Sequence, residues 1–184
     1  VPRCAFGTET LSEDGRSIDR IFTMNDGSTY LLGGAARAEY SSQTERAFSG
    51  DVRVVVSSRK TRVLSAGPLA MLDGDSSTGW VAAPLGLDPV LSLAWDDERE
   101  IDRIQVRTGP DLAASSARRG EIVFDNGERR AVRFDEEGVA EFKPVNATGF
   151  TLTVTAVRLV STLGFEGLGQ ALPWGVSEIQ VPGL

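Results

Sequence analysis

The sequence predicts an all-β chain, folded as either a sandwich or a barrel. Two observations support this fold class. Short runs of alternating or β-branched residues recur along the 184 residues, and Gly, Asp, Asn and Pro separate them at regular intervals. No segment longer than a turn or two shows the periodicity of a helix. The chain is long enough for one domain with a sizeable core.

The predicted strands follow from these runs in chain order. The run at 150–159 is the clearest, because Phe150-Thr-Leu-Thr-Val-Thr-Ala-Val alternates with period two, as expected for a strand with one solvated face. A tight hairpin is predicted at Asp125-Asn126-Gly127-Glu128, where Asn-Gly supplies positive φ values. The full set of predicted strands is 17–24, 29–37, 51–58, 90–95, 101–108, 119–124, 129–134, 140–144, 150–159 and 176–181.

A domain boundary is predicted near residues 48–50. Residues 1–50 hold only two predicted strands among polar, turn-rich stretches, and two strands cannot bury a core alone. We expect them to pack on the main sandwich or to end a preceding domain. Residues 51–184 hold enough strands for a self-contained sandwich. The N-terminal Val1-Pro2-Arg3-Cys4 does not read as a signal peptide, so we expect a piece of a longer protein whose export signal or anchor lies elsewhere.

Charge and composition exclude several classes of function. A net charge of −7 argues against nucleic acid and anionic lipid as partners, since phosphate binding needs clustered Lys and Arg. No apolar run approaches the length of about 18 residues that a membrane helix needs, so we expect no membrane contact by this piece. The absence of His from the sequence excludes a Ser-His-Asp triad and a His-ligated metal. The lone Cys4 is expected to be a buried thiol or half of a disulfide with an upstream partner, and we predict no catalytic residue.

The most informative segment is the acidic turn at residues 72–80. It places Asp73, Asp75, Thr78 and two glycines directly before Trp80. Such a turn can gather carboxylate, hydroxyl and carbonyl oxygens around a hard cation. An alternative is an Asx turn in which Asp73 accepts bonds from backbone N–H groups and no metal is present. The turn is predicted to lie at one end of the β-structure, where binding residues concentrate.

Three blocks of residues carry a resemblance to a known family. The first is Val55-Val-Ser-Ser58 followed by the stretch from Ala70 through the acidic turn to Trp80. The second is Leu91-Ser-Leu-Ala-Trp95 with the Ile-Asp-Arg-Ile-Gln-Val that ends at Val106, and the third is Gly175-Val-Ser-Glu-Ile-Gln-Val181. In this order they resemble the discoidin, or coagulation-factor type C, family of galactose-binding-like sandwiches. The resemblance implies an antiparallel jelly-roll β-sandwich and a carbohydrate as ligand. Residues 1–50 have no counterpart in a minimal module of this family, and we expect them to be an N-terminal β appendage.

The resemblance also implies a structural Ca²⁺ where the acidic turn meets the closing strand. Carried over by position, Asp73 and Thr78 supply side-chain oxygens. Ala70, Asp75 and Thr78 supply backbone carbonyls, and Glu178 adds a carboxylate from the closing strand. Six to eight oxygens in a flexible arrangement are what Ca²⁺ requires.

Candidate carbohydrate contacts lie outside this turn. Trp174 is in a loop before the last strand, where it could stack on a sugar ring or instead anchor the loop in the core. Phe165 is a second candidate of the same kind, and Arg118 could hydrogen-bond hydroxyl groups or be an ordinary solvated arginine. Trp80 and Trp95, at a strand start and a strand end, are expected in the core.

A narrower resemblance concerns the end of the chain. The closing Val176-Ser-Glu-Ile-Gln-Val-Pro-Gly-Leu184 and the arginine-rich character are similar to modules of large actinobacterial arabinofuranosyltransferases of the cell envelope. This implies an extracytoplasmic, non-catalytic carbohydrate-binding module, joined to a larger polypeptide and recognising cell-wall glycan of the arabinan or galactan type. The alternative is a structural or protein-interaction domain that binds no sugar, because sugar-contacting residues typical of carbohydrate-binding members have no clear match.

Overall fold

The chain forms an antiparallel β-sandwich in a computed structural model that describes residues 50–84, 89–163 and 168–184. Two short 3-10 helices, Leu64–Ala66 and Pro68–Met71, precede the acidic turn. The strands are β1 (Arg53–Val56), β2 (Trp80–Val81), β3 (Val90–Arg107), β4 (Ser116–Phe124), β5 (Arg129–Arg133), β6 (Val139–Arg158), β7 (Ser161–Leu163), β8 (Gly169–Ala171), β9 (Gly175–Val176) and β10 (Glu178–Gln180). No helix in these ranges is long and apolar enough to cross a membrane.

The main sheet has the strand order β1-β3-β6-β4-β5, and β10 also pairs with β3. β3 pairs with β1 through its first half, where Leu91 lies opposite Val56. It pairs with β10 through its second half, where Gln105 lies opposite Gln180. β2 pairs with β9 and β7 pairs with β8 in two small separate sheets. Every one of these strand pairs is antiparallel, which confirms the predicted fold class.

β3 and β6 are each one long strand where the sequence predicts two. The predicted strands at 90–95 and 101–108 join through the charged residues between them, and those at 140–144 and 150–159 join across Asn146. The register between β3 and β6 shifts from Ala94 to Arg99 and again from Ile101 to Arg103. Such irregularities bend a strand without ending its pairing. A charged or turn-like stretch therefore marks a bend here and not a strand end.

The core lies where the alternation of the sequence places it. Leu91, Leu93 and Trp95 on β3 are at most 2% exposed, as are Ile122 and Phe124 on β4. Ring contacts join the strands, since Phe124 packs on both Phe142 and Phe150 of β6, and Trp95 packs on Phe150. Trp80 and Trp95 are buried, as predicted, and each donates its indole N–H to a backbone carbonyl, of Ser58 and Ala147 respectively.

The predicted hairpin between β4 and β5 forms, but with a different turn. The Gly127 N–H donates to the Phe124 carbonyl, and Gly127 alone in this turn has a positive φ, of 86°. Asn126 keeps a negative φ and accepts the Glu128 N–H on its side-chain oxygen. The connection is thus a type I turn closed by a glycine bulge, because the longer loop removes the need for a left-handed residue at Asn126.

Other differences concern short elements. The predicted closing strand 176–181 divides into β9 and β10, because Ser177 between them turns its hydroxyl onto the Arg107 carbonyl and the Gly109 N–H. β2, β7 and β8 were not predicted, since two or three residues show no periodicity. The predicted strands 17–24 and 29–37, and with them the N-terminal appendage, lie outside the described residues.

Candidate functional site

The acidic turn brings the predicted cation ligands together around the Thr78 hydroxyl. Thr78 Oγ1 lies 2.8 Å from Asp73 Oδ2, 2.9 Å from the Asp75 carbonyl oxygen and 3.4 Å from the Ala70 carbonyl oxygen. A hydroxyl has one proton and can donate fully to only one of these three acceptors. Four electronegative oxygens therefore converge at this point with a single shared hydrogen.

Three local hydrogen bonds hold the turn in this shape. The Asp75 N–H donates to Asp73 Oδ1 at 2.9 Å, and both the N–H and the hydroxyl of Ser77 donate to Asp75 Oδ1. The Ser77 hydroxyl and then its amide hold the pKa of Asp75 below its ordinary value. The turn thus has the Asx geometry of the metal-free alternative and also the oxygen arrangement of the cation site. The Asx bonds alone therefore do not decide between a metal-free turn and a cation site.

Glu178 reaches this turn from β10. β10 pairs with the end of β3, opposite Arg107, which directs Glu178 towards Asp73. Glu178 is only 9% exposed, and its Oε1 has no hydrogen-bond partner. Burial, followed by the nearby Asp73 charge, raises the pKa of Glu178, while the Gly74 amide and Arg107 oppose the rise. The convergence of the acidic turn and the closing strand, on which the cation prediction depends, is therefore present.

This set of groups fits a hard cation better than it fits an isolated polar turn. A buried carboxylate oxygen without a donor costs free energy unless a positive charge or a proton compensates it. Within the described ranges, no three Cys, Asp or Glu side chains are arranged to hold a metal by themselves. A cation would therefore depend on the carbonyl and hydroxyl oxygens of Ala70, Asp75 and Thr78 together with Asp73 and Glu178, a mixed oxygen set of the kind that Ca²⁺ accepts.

Trp174 lies in the core and does not form a surface platform. It is 2% exposed and packs edge-to-face on Trp80, with ring centroids 5.0 Å apart. Its carbonyl accepts the Ala82 N–H, and its backbone forms a parallel bridge with Ser115. The prediction of Trp174 as a sugar-stacking residue is wrong, and its loop-anchoring alternative is confirmed. The reason is that the loop turns inward to pair with β2 and the residues before β4.

The other two residues predicted to contact sugar are Arg118 and Phe165. Arg118 is exposed on β4, and Phe165 lies outside the described residues. Arg118 is therefore accessible to a ligand, and a sugar contact by Phe165 stays a prediction.

An open cleft lies beside β10 instead. It has a volume of about 760 Å³, and the acidic turn forms one end of it, since Gly74 and Glu178 are among its lining residues. We call it the β10 cleft. Its polar wall is formed by Arg103, Gln105 and Gln180, and its apolar surface by Leu72, Val139 and Val181.

The sequence analysis missed this cleft, although a signal was present. Arg103 and Gln105 alternate on β3 with the buried Ile104 and Val106, so both polar residues lie on one face. Gln180 lies directly opposite Gln105 on β10. Paired glutamines on the exposed face of neighbouring strands mark a polar surface. The pairing of β10 with β3 cannot, however, be read from the sequence, because over 70 residues separate them.

Comparisons with known proteins agree with this architecture. No curated protein sequence matches the chain. Among solved structures, CpGH89CBM32-5 from Clostridium perfringens, in complex with GalNAc-beta-1,3-galactose, superposes with a TM-score of 0.53 at 17% identity and covers 71% of this chain and 94% of that one. Chitosan-binding module 2 from Paenibacillus sp. IK-5, in complex with chitotriose, superposes with a TM-score of 0.54 at 16% identity and covers 72% and 97%.

A third structure is larger. Arabinofuranosyltransferase AftD from Mycobacteria superposes with a TM-score of 0.63 at 21% identity, covering 79% of this chain but only 12% of AftD. At such identities these likenesses show the fold, which is that of carbohydrate-binding sandwiches.

A match to a family model identifies the family of the chain. Residues 51–184 match the model described as arabinofuranosyltransferase D, third carbohydrate binding module. The match covers well over half of the chain and all of the described strands. A module of this kind is non-catalytic, as the sequence predicts. The chain therefore belongs to the family of the third carbohydrate-binding module of arabinofuranosyltransferase D.

Proposed function

We propose that this module binds cell-wall glycan of the arabinan or galactan type and does so in the β10 cleft. The observation that carries the proposal is the cleft itself, a preformed open groove with planar hydrogen-bonding side chains along one wall. Guanidinium and amide groups such as those of Arg103, Gln105 and Gln180 can each bond two neighbouring hydroxyls of a sugar. The volume lies within the range of small-ligand sites.

The mode of recognition is hydrogen bonding along the cleft. Leu72, Val139 and Val181 give the ring carbons an apolar surface, and the polar wall selects hydroxyl positions. An open site that orders flexible Arg and Gln side chains leaves a small net free energy, so each single site binds weakly. The module then acts by raising the concentration of its parent protein at a polymer that carries many copies of the ligand.

The parent in this proposal is a larger extracytoplasmic arabinofuranosyltransferase. The support is the family match together with the small share of AftD that the chain covers. The rest of that polypeptide is then the second partner of the module, and the cell envelope is its location.

The proposal includes a structural Ca²⁺ at the acidic turn. Asp73, Thr78 and Glu178 hold it by side-chain oxygens, with backbone carbonyls of Ala70 and Asp75 completing the set. Bound there, the ion compensates the buried Glu178 charge and ties the turn to β10. Because the turn forms one end of the cleft, this keeps the cleft in shape.

Titration calorimetry of the full 184-residue chain tests the carbohydrate site. Arabinofuranosyl and galactofuranosyl oligosaccharides are expected to bind with millimolar or somewhat lower Kd. The double change Arg103→Ala with Gln105→Ala removes two hydrogen-bonding groups and is expected to weaken binding about tenfold, at about 0.5–1.5 kcal/mol per bond. Arg53→Ala is the matched control, since Arg53 is exposed on β1 and paired with Asp96.

Two results would contradict the proposal. One is no binding of any arabinan, galactan or galactoside at millimolar concentration. The other is binding that the double variant retains at full strength, which would place the sugar outside the β10 cleft.

A protein-interaction role is the second candidate, and one observation favours it. The segment around β7 and β8 exposes four large apolar side chains, Leu159, Val160, Leu163 and Leu168, of which Leu163 is 77% exposed. Large exposed aliphatic groups clustered on one segment are typical of a contact surface. Size-exclusion chromatography of the parent protein carrying Leu163→Ser and Leu168→Ser, compared with its wild type, tests whether this segment anchors the module. An unchanged hydrodynamic radius and unchanged protease resistance would argue against this role.

A further inference from the structure

Three arginines form a basic patch at one end of β4 and β5. The register of β4 against β6 is irregular on both sides of Arg119, between Ala117 and Arg119 and again between Arg119 and Gly120, which interrupts the regular alternation of faces. Both Arg118 and Arg119 are consequently exposed, although strict alternation would turn one of them inward. Arg133 of β5 lies directly opposite Arg119 and is also exposed. We call Arg118, Arg119 and Arg133 the arginine patch.

Among residues 50–84, 89–163 and 168–184, no carboxylate forms an ion pair with a member of the patch. The ion pairs within the described ranges join Arg53 to Asp96, Arg129 to Glu121 and Arg130 to Glu128. None of them includes a member of the patch. The chain has 26 acidic against 19 basic residues, so acidic partners are in excess elsewhere. Like charges directly opposite each other on neighbouring strands destabilise a sheet, and the packing of the sandwich therefore gives no reason for Arg119 and Arg133 to face each other.

A fourth arginine fixes the backbone of the patch. Arg158 of β6 donates to the Ala117 carbonyl at 3.2 Å and to the Phe134 carbonyl at 2.7 Å, next to Arg118 and Arg133 respectively. The Phe134 N–H in turn donates to the Arg118 carbonyl. These bonds tie β4, β5 and β6 together at this point and add a positive charge. The patch is thus held on a rigid frame of three strands, which reduces the cost of ordering it around a ligand.

We propose that the arginine patch binds a phosphoryl group carried by a glycan. A single carboxylate is satisfied by one guanidinium fork, whereas a phosphoryl group offers three oxygens and up to two negative charges to several forks at once. The ligand class rests on the proposed function, since the phosphoryl group is assigned to a sugar.

The charge distribution favours a phosphorylated sugar over an anionic membrane. The net charge of −7 repels an extended anionic surface, whereas a single phosphoryl group senses charges within about one Debye length, roughly 8 Å at physiological salt. A second cleft of about 440 Å³ adjoins the β10 cleft. Gln105 lines both clefts, and Arg158 lines the second together with Glu136 and Glu137. These two carboxylates repel anions in the second cleft, so we expect a bound phosphoryl group to lie at the arginine patch and not beside them.

Backbone amide NMR of the full chain tests this inference. The probes are arabinose 5-phosphate, inorganic phosphate, neutral arabinose, and phosphatidylcholine vesicles with and without phosphatidylglycerol. Arabinose 5-phosphate is expected to shift the amide signals of residues 117–120 and 132–134, with at least twofold tighter binding than inorganic phosphate and at least fivefold weaker binding in 0.5 M NaCl. Arg119→Ser combined with Arg133→Ser is expected to weaken binding at least fivefold, and Arg53→Ser to leave it unchanged.

The remaining outcomes overturn the inference. Equal binding of arabinose 5-phosphate to the wild type and the double variant places the phosphoryl group elsewhere. Equal affinity for inorganic phosphate and the sugar phosphate would mean that the sugar contributes nothing to binding, so the ligand would not be a glycan. Patch-dependent binding to phosphatidylglycerol vesicles without binding of the soluble sugar phosphate assigns the patch to a membrane. Neutral oligosaccharide binding in the β10 cleft is measured on the same double variant and should be unchanged, so failure here is distinguishable from failure of the proposed function.

Discussion

The Glu178 carboxylate provides a sharp test of the proposed cation site. In the metal-free protein this carboxylate is buried with an unpaired oxygen beside Asp73. Replacing it by glutamine keeps the shape of the side chain and removes the charge. We expect Glu178→Gln to change the stability of the protein in opposite directions without and with Ca²⁺.

Without metal, the variant should be the more stable protein at pH 7. The folded-state pKa of Glu178 is raised above its ordinary value, first by burial and then by Asp73. Such a group stabilises the fold when protonated, at pH values below the ordinary glutamate pKa, and this contribution is lost as the pH rises through the raised pKa. At pH 7 the raised pKa of Glu178 therefore lowers the stability of the metal-free wild type, and Glu178→Gln removes this cost. The metal-free wild type should lose stability across that rise in pH, and the variant should not.

With Ca²⁺, the order should reverse. A ligand at about 100 times its Kd adds about 2.7 kcal/mol to the free energy of unfolding, which corresponds to a rise in Tm of about 5–11 °C for a chain of this size. Glu178→Gln removes one of the two formal charges among the proposed side-chain ligands, so the same Ca²⁺ concentration should give a much smaller rise.

Calorimetric unfolding scans in EDTA and in a Ca²⁺ series measure both effects. Glu100→Gln is the control, because Glu100 is exposed on β3 and should follow the wild type in both buffers. The reasoning fails if Ca²⁺ leaves the wild-type Tm unchanged. It also fails if the metal-free variant is less stable than the metal-free wild type, since Glu178 would then make a stabilising charge contact.

Three further predictions follow from single side chains. Trp174→Ala removes a ring that is 2% exposed and should lower the free energy of unfolding by about 3–5 kcal/mol in chemical denaturation. Gly79→Ala places a Cβ 2.6 Å from the Val176 carbonyl oxygen and should cost about 1–3 kcal/mol, whereas an unchanged midpoint would show that β9 moves freely away from the acidic turn. Arg133→Glu turns the repulsion with Arg119 into attraction and should raise the free energy of unfolding by about 0.2–1 kcal/mol, while a decrease would mean that the two arginines do not face each other.

The main strands could be predicted because apolar and polar residues alternate in the sequence as buried and exposed positions alternate along a strand. Leu91, Leu93 and Trp95 turn to the core because neighbouring residues of a strand point to opposite faces. The ends of β3 and β6 could not be predicted, because a bulge keeps a strand paired through charged residues such as those between Trp95 and Ile101. Local sequence does not distinguish a bend from an end.

The two predicted sites show the same contrast. The acidic turn is local in sequence, so the convergence of Asp73, Asp75 and Thr78 could be predicted from their spacing, and the family resemblance supplied Glu178. The direction of Trp174 depends on its pairing with residues that are distant in the chain, and a tryptophan in a loop fits a core position and a surface position equally well. The β10 cleft depends likewise on a strand pair that the sequence does not reveal.

The length of β3 and β6 has a mechanical consequence. Each strand continues through both bends, and β3 pairs with β1 at one end and with β10 at the other. A force applied at one end of the sandwich is therefore transmitted to the other end along β3 and β6. Neither end can unfold without weakening the β3–β6 pairing that both ends share. Under tension the sandwich is therefore expected to unfold all at once, as a single unit.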